Sequence, residues 1–204
     1  MIATEEHDEW LTLDPSEMVR LQIRRFDIHL DSSELIAKLL RSAACSLDRK
    51  EAISSYYVSR ESGRRRSAKA EACFIAACKG QLVGTLTIEG TNLSSPCRHY
   101  RRQDVATIHR YGVDPRWQHL GIGRALLSFA NRWAAALGYA QLALDTPVAA
   151  GSLLDFYHTL GFRLVDTVHF PGCADDSAVL SRPTLSGWRY APTSHASRRL
   201  QRDR

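Results

Sequence analysis

Apolar residues recur along this chain with the two periods that distinguish strands from helices. Val19–Arg24 alternates apolar and polar residues, which predicts a half-buried strand. Asp31–Glu34 has the form of a capping box, and apolar residues follow it at helical spacing, so a first helix is predicted there. These residues are Leu35, Ile36, Leu39, Leu40 and Ala43. A second short helix is predicted over 48–57, followed by a polar, basic loop over 59–67.

The middle of the chain has the pattern of strands. Cys73–Cys78 and Leu82–Ile88 are short apolar runs joined by Lys79–Gln81, an arrangement typical of a β-hairpin. The stretch 90–103 has no periodicity and is interpreted as a loop. Asp104–Val113 predicts a further strand, which leads into a segment with two closely spaced glycines.

A long helix is predicted to follow these glycines and to end at the next one along the chain. Its apolar positions repeat at helical spacing and are Leu126, Phe129, Ala130, Trp133 and Leu137. Gln141–Asp145 then predicts a strand, Gly151–Leu160 a helix, and Arg163–Phe170 and Ala178–Ser181 two final strands. The predicted order is β-α-α-β-β-β-α-β-α-β-β, an α/β fold in which helices flank a mixed sheet.

The glycine segment is the first candidate for a binding function. In Gln118-His119-Leu120-Gly121-Ile122-Gly123, two glycines open a helix, so exposed backbone N–H groups and the helix dipole can hold an anion such as a phosphate. A Rossmann fingerprint is excluded by Leu126, and a Walker loop by Arg124 and Ala125 after the second glycine. The alternative is that the glycines serve only the packing of a strand-to-helix junction.

Length and composition fit one cytoplasmic domain with tails. The 204 residues can bury a core without disulfides, and we expect a flexible segment over 1–17, a domain over 18–183 and a basic tail over 184–204. No apolar run is long enough to cross a bilayer, and the acidic start does not fit a signal peptide. The five cysteines are scattered without a Cys-x-x-Cys pair, so we predict reduced thiols and no metal site.

The formal charge of +5 raises the alternative of a nucleic-acid-associated protein. The surplus lies in three groups: Arg64–Arg66 with Lys69, Arg98 with Arg101 and Arg102, and Arg198 and Arg199 with Arg202 and Arg204. These groups flank predicted elements and do not line one helix face, so solvated runs are the preferred interpretation.

Two motifs in order resemble the GNAT superfamily of N-acetyltransferases. Gln118–Gly123 is similar to the Gln/Arg-x-x-Gly-x-Gly/Ala loop that binds the pyrophosphate of acetyl-CoA, and Phe156–Phe162 is similar to the aromatic-Tyr-x-x-x-Gly-Phe signature. The predicted element order also matches that fold, and the resemblance covers roughly Val19 to Ser181. It implies an enzyme that transfers the acetyl group of acetyl-CoA to a primary amine of a small molecule or peptide, by direct attack in a ternary complex.

The resemblance also implies how the cosubstrate is held. The strand ending at Val113 is expected to part from the strand ending at Asp145, with the pantetheine arm in the gap between them. The predicted cofactor-binding residues are Tyr111, Val113, Gln118, His119, Leu120, Gly121, Ile122, Gly123 and Arg124. The family commonly has Gly where Leu120 stands, and often Asn where Ala150 stands, so one contact to the arm is expected to be absent or supplied differently.

For catalysis, the resemblance implies Tyr157 as general acid, because a phenol with an ordinary pKa of about 10 suits protonation of a thiolate. Thr107 occupies the position of the family's frequent Glu, so His109 is the candidate base, and Asp145 is the second candidate base or ammonium-binding group. The alternatives are a core-covering tyrosine, a satisfied buried histidine and a turn-initiating aspartate. Thr107 and Ala150 also leave open a non-catalytic acyl-CoA-binding regulatory module, and the oligomeric state stays open between monomer and homodimer.

Overall fold

The computed structural model describes residues 6–14, 17–45 and 72–184. Within these ranges the chain forms eight strands and three helices, which confirms the predicted mixed α/β fold. They are β1 Glu6–Asp14, β2 Glu17–Arg25, α1 Ser33–Cys45, β3 Ala72–Cys78, β4 Gln81–Glu89, β5 Val105–Val113, α2 Ile122–Ala136, β6 Gln141–Pro147, α3 Gly151–Thr159, β7 Arg163–Val168 and β8 Ser177–Pro183. The predicted helix at 48–57, the loop at 59–67 and tail residues 185–204 lie outside the described residues.

The strands form one sheet in the order β1-β2-β3-β4-β5-β6-β8-β7. All neighbours are antiparallel except β5 and β6, which are parallel because α2 connects them as a crossover helix. None of the helices in the described ranges is long and apolar enough to cross a membrane.

The two faces of the sheet carry different helices. A Cβ at Gly84 would lie 2.9 Å from Leu126 Cδ1 of α2, whereas a Cβ at Gly112 would lie 3.0 Å from Leu40 Cδ2 of α1. Glycine at these two positions therefore lets one helix approach the sheet closely on each face. The main core, with the fully buried Leu126, lies between the sheet and α2.

The expectation of a flexible segment over 1–17 is wrong for Glu6–Asp14, which form the edge strand β1. This strand pairs with β2 from Glu6 opposite Arg24 to Asp14 opposite Glu17, and Asp8 forms an ion pair with Arg20 across the two strands. An edge strand is half exposed, so its polar composition does not prevent pairing. Composition alone could not distinguish such a strand from an unstructured end.

A carboxylate at the start of α1 joins this helix to β2. Both oxygens of Asp31 accept from the Arg24 guanidinium, at 2.7 and 2.8 Å, and Oδ2 also accepts from the Asp27 amide at 2.9 Å. The Arg24 hydrogen bond holds the pKa of Asp31 below its ordinary value. The helix itself begins after Ser32, whose hydroxyl oxygen accepts from the Leu35 amide at 3.3 Å, so Ser32 is the N-cap.

Asp31→Asn is expected to lower the free energy of unfolding by about 1.5–3 kcal/mol, since it weakens charged hydrogen bonds in a part-buried setting. The loss should shrink as pH falls, because the stabilisation by Asp31 is present above its unfolded pKa and is lost on protonation. Urea unfolding at pH 7 and at pH 3, which lies below the ordinary pKa of about 3.9 for an unfolded Asp, measures both effects. Asp8→Asn, in an exposed ion pair, is the control and should change the free energy of unfolding much less than Asp31→Asn does; equal losses in the two variants would contradict the assignment.

Candidate active site

The central parallel pair of strands separates along its length. β5 and β6 pair only from Val105 opposite Gln141 to Thr107 opposite Ala143. Beyond these residues both strands continue, to Val113 and to Pro147, without pairing with each other. The sheet therefore opens into a wedge-shaped gap directly before the glycine segment.

A β-bulge shapes the β5 side of this gap. On β4, Thr85 pairs with Gly112 and Thr87 with His109, so two residues of β5 stand opposite one residue of β4. The first of these two β5 residues, Arg110, has a φ of 48°, in the left-handed region. The bulge lets the Tyr111 ring reach the start of α2, while Gly112 packs against α1 on the other face.

The start of α2 presents its amide groups outward. Its N-cap is Gly121, which has a φ of 87° and no side chain to cap the helix. The first amide to bond within the helix is that of Ala125, which donates to the Gly121 oxygen at 2.9 Å. The N–H groups of Ile122, Gly123 and Arg124 thus point out of the first turn, as an anion site requires.

Gln118 differs from the rest of the predicted phosphate loop. Its backbone amide donates to Pro115 O at 3.4 Å, and its side-chain Nε2 donates to Val113 O at 3.2 Å. Gln118 therefore fixes the loop to the end of β5. The following residue, His119, has a φ of 63°, so the chain turns sharply twice before the helix begins.

The gap and the helix start line one cleft of about 410 Å³. It brings together predicted residues from both motifs: Tyr111, Val113, Gln118, His119, Gly121, Gly123, Arg124 and Tyr157. The Ile122 side chain is buried in the core, and Leu120 does not line the cleft. The other residues that α1 and α3 contribute to the walls of the cleft are Leu40, Ala43, Ala44, Ser152, Leu153 and Phe156.

Tyr157 is held rigidly at the side of the cleft. It is 4% exposed, and its ring lies 6.4 Å from that of Tyr111, 5.5 Å from that of Phe156 and 5.9 Å from that of Phe162. The Phe162 amide donates to Tyr157 O at 3.1 Å, and Gly161 reverses the chain with a φ of 85°. The second motif thus holds Tyr157 in place, and its side chain both packs in the core and lines the cleft.

His109 lies on the α1 face of the sheet and is not among the residues that line the cleft. Its Nε2 is 2.9 Å from Thr107 Oγ1 and 3.5 Å from Glu89 Oε2. The exposed fractions of the His109 and Glu89 side chains are 8% and 17%. Sequence reasoning missed Glu89, since only the register of β4 on β5, which sets Glu89 opposite Thr107, brings it there.

Asp145 lies in a different environment from that expected of a base. It stands within β6 opposite Val179, so the turn-initiating interpretation is wrong. The fully buried Tyr100 donates its hydroxyl to Asp145 Oδ1 at 2.7 Å, and burial raises the pKa of Asp145 to about 8. Burial disfavours the charged carboxylate that a general base needs, which leaves His109 as the stronger candidate base.

A sheet that opens beside an uncapped helix start, with a buried tyrosine at the cleft, is the architecture of an acyltransferase. The family model described as acetyltransferase (GNAT) family matches residues 36–162, well over half of the chain. The chain therefore belongs to the GNAT acetyltransferase family, and the family predicted from the two motifs is confirmed. No curated protein matches the sequence.

Solved structures show the same fold at low sequence identity. The GNAT domain of S. lividans PAT has a TM-score of 0.61 and 16% identity, with 90% of this chain and 99% of that chain covered. The ribosomal-protein-S18-alanine N-acetyltransferase of Escherichia coli has a TM-score of 0.55 and 17% identity, with coverages of 80% and 94%. A GNAT family acetyltransferase from Elizabethkingia anophelis, with acetyl-CoA bound, has a TM-score of 0.54 and 16% identity, with coverages of 80% and 97%.

Proposed function

We propose that this chain transfers the acetyl group of acetyl-CoA to a primary amine of a small molecule or peptide, by direct attack within a ternary complex. The observation that carries the proposal is the separation of β5 from β6 immediately before the uncapped start of α2. Membership of the GNAT family supports the reaction class. The cleft volume of about 410 Å³ lies in the range of small-molecule sites, about 300–1,000 Å³.

The residues of the cleft fit two parts of acetyl-CoA, the pyrophosphate and the pantetheine arm with its thioester. The outward amides of Ile122–Arg124 and the positive end of the α2 dipole suit a pyrophosphate. The side of β5 that faces the gap near Tyr111 and Val113, where β5 no longer pairs with β6, suits the amides of a pantetheine arm, which would add to β5 as a neighbouring strand does. A backbone N–H of β5 there would also receive the thioester oxygen and stabilise the negative charge that develops on it.

The proposed reaction moves two protons off the amine nitrogen. His109 takes the first proton from the ammonium ion, and the neutral nitrogen then forms its bond to the thioester carbon while the carbon–sulfur bond breaks. Tyr157 gives its proton to the departing thiolate and regains one from the new amide nitrogen. His109 finally releases its proton to solvent, so one proton is produced in each turnover.

The placement of His109 supports this role despite its distance from the cleft wall. His109 and Gly112 share the α1 face, because their partners on β4, Thr87 and Thr85, are two residues apart. Two residues along a strand span about 7 Å. A thioester bound beside Gly112 would therefore lie within reach of His109 through one water molecule. Cys73, Cys78, Cys97 and Cys173 do not line the cleft, so none of these four thiols is placed to carry the acetyl group.

Calorimetry with CoA, followed by thiol release from acetyl-CoA across a panel of primary amines, tests the proposal. We expect binding, and turnover with at least one amine. Binding without turnover on any amine would instead support the regulatory module, and no binding heat would contradict the acetyltransferase proposal. Strongly salt-dependent DNA or RNA binding would support the nucleic-acid alternative, although in the described part of the chain Arg102 already pairs with Asp104 at 2.6 Å.

Gly123→Ala is expected to weaken CoA binding roughly 10-fold, because the added Cβ would overlap the Tyr111 hydroxyl oxygen and push the ring into the cleft. The same Cβ would lie 3.6 Å from Tyr111 Cζ, an ordinary contact. The double variant Gly123→Ala/Tyr111→Phe should therefore regain most of the affinity, with Tyr111→Phe alone as the control. Calorimetric Kd values check this, and a double variant as weak as Gly123→Ala would show that the Cβ blocks the ligand itself.

A further inference from the structure

The strand register brings a part-buried carboxylate next to Thr107, whose own side chain carries no acid. Glu89, the last residue of β4, is the Cα partner of Thr107 on β5. Its side chain turns along the same face, and Oε2 comes to 3.5 Å from His109 Nε2. A carboxylate from the neighbouring strand therefore lies beside the candidate base.

We propose that Glu89 is a positioning residue for the reaction: it orients the His109 imidazole and stabilises the imidazolium that forms when His109 takes a proton from the amine. This inference rests on the proposed function. The proton leaves the amine nitrogen, a new N–H bond forms on the imidazole, and the positive charge moves to a ring beside the Glu89 carboxylate. The balance requires no other reactant than the amine.

Besides Glu89, the side chains of Thr107 and Tyr100 contact the His109 ring and fix its position. Thr107 Oγ1 lies 2.9 Å from Nε2 and donates to Glu89 O at 3.4 Å, so Thr107 links the ring to the backbone of β4 as well. The Tyr100 ring meets the imidazole edge-to-face, with centroids 6.2 Å apart. The side chains of His109 and Glu89 are both largely shielded from water, where a charge pair is screened less than on the surface.

The Thr87 hydroxyl, next to His109, is a site where a hydrogen-bond donor of the substrate could bind. Thr87 pairs with His109 across β4 and β5, is 1% exposed, and its Oγ1 has no hydrogen-bond partner among the described residues. A buried hydroxyl without a hydrogen-bond partner is unfavourable, and an N–H donor that entered beside His109 would remove that cost. Titratable groups around the ring include Glu89 on β4 and Tyr100 before β5, and Tyr100 in turn donates to Asp145 on β6.

Glu89→Gln is the test, because it keeps size and hydrogen bonding and removes only the charge. In the active enzyme we expect kcat to fall roughly 10- to 100-fold with a smaller change in the KM for acetyl-CoA. The acidic limb of the kcat/KM profile should move to lower pH by about one unit or more, since the imidazolium loses its carboxylate partner. Glu89→Asp, which keeps the charge, should leave the limb near its wild-type pH.

Glu9→Gln is the matched control, because Glu9 is also near a histidine, His7 at 3.8 Å, but lies on the distant edge strand β1. It should leave the rate and the profile unchanged. An NMR titration of the His109 ring provides a readout independent of turnover, and its midpoint should fall in Glu89→Gln.

The outcomes separate this inference from the proposed function. An active wild type whose acidic limb and His109 titration are unmoved in Glu89→Gln would overturn the role of Glu89 and leave the acetyltransferase proposal standing. A shifted titration with an unchanged rate would also overturn it, because the pair would then be structural. A wild type that binds CoA and acetylates no amine would contradict the proposed function itself, whatever the titration shows.

Discussion

Tyr157→Phe is expected to lower kcat about 10²- to 10⁴-fold, because it removes the proton donor of the thiolate and little else. The ring packs against Tyr111, Phe156 and Phe162, and phenylalanine retains these contacts. The KM for acetyl-CoA should change much less than kcat, since the pyrophosphate and the pantetheine arm are expected to be held by backbone groups. Steady-state thiol release, with melting temperature as a check on folding, measures these effects.

Tyr139→Phe is the matched control for this change. Tyr139 also packs against the main core, but it lies between α2 and β6 and does not line the cleft. Loss of the Tyr139 hydroxyl should leave kcat within about twofold of the wild-type value. If Tyr157→Phe retained full activity at every pH, Tyr157 would be a core residue only, and the thiolate would take its proton from water.

The two motifs were predictable from sequence because their chemistry is local. Gly121 must adopt a positive φ and Gly123 must admit a close neighbour, and two glycines separated by one residue meet both demands at the helix start. Tyr157 is likewise fixed by its own helix and the glycine that ends it. Features of this kind depend on spacing along the chain, so the sequence alone can show them.

The features that sequence analysis missed depend on the pairing of distant strands. Glu89 reaches His109 only through the pairing of β4 with β5, whose register a bulge at Arg110 shifts by one residue, and residue patterns do not give that register. The edge strand β1 was missed because its polar residues alternate between two partly solvated faces. The burial that raises the pKa of Asp145 is likewise a property of packing, which the sequence of a strand does not show.

Asp145→Asn is expected to abolish a decrease in the free energy of unfolding that the wild type shows as pH rises. With a pKa of about 8 in the folded protein and about 3.9 in the unfolded chain, Asp145 keeps its proton on folding while the unfolded chain loses it. Between these pH values the unfolded state binds fewer protons, so the free energy of unfolding falls by about 1.4 kcal/mol per pH unit from this group. Below about pH 4 and above about pH 8 the contribution becomes constant.

Asparagine does not titrate, and its carbonyl oxygen can still accept from the Tyr100 hydroxyl. The free energy of unfolding of the variant, relative to that of the wild type, should therefore rise by about 4 kcal/mol from pH 5 to pH 8. Urea unfolding at both pH values measures this difference. Asp155→Asn, an exposed position on α3, is the control and should differ from the wild type by a constant amount. Parallel pH profiles for the wild type and Asp145→Asn would mean that Asp145 is ionised in the folded protein, and it would then return as a rival to His109 for the amine proton.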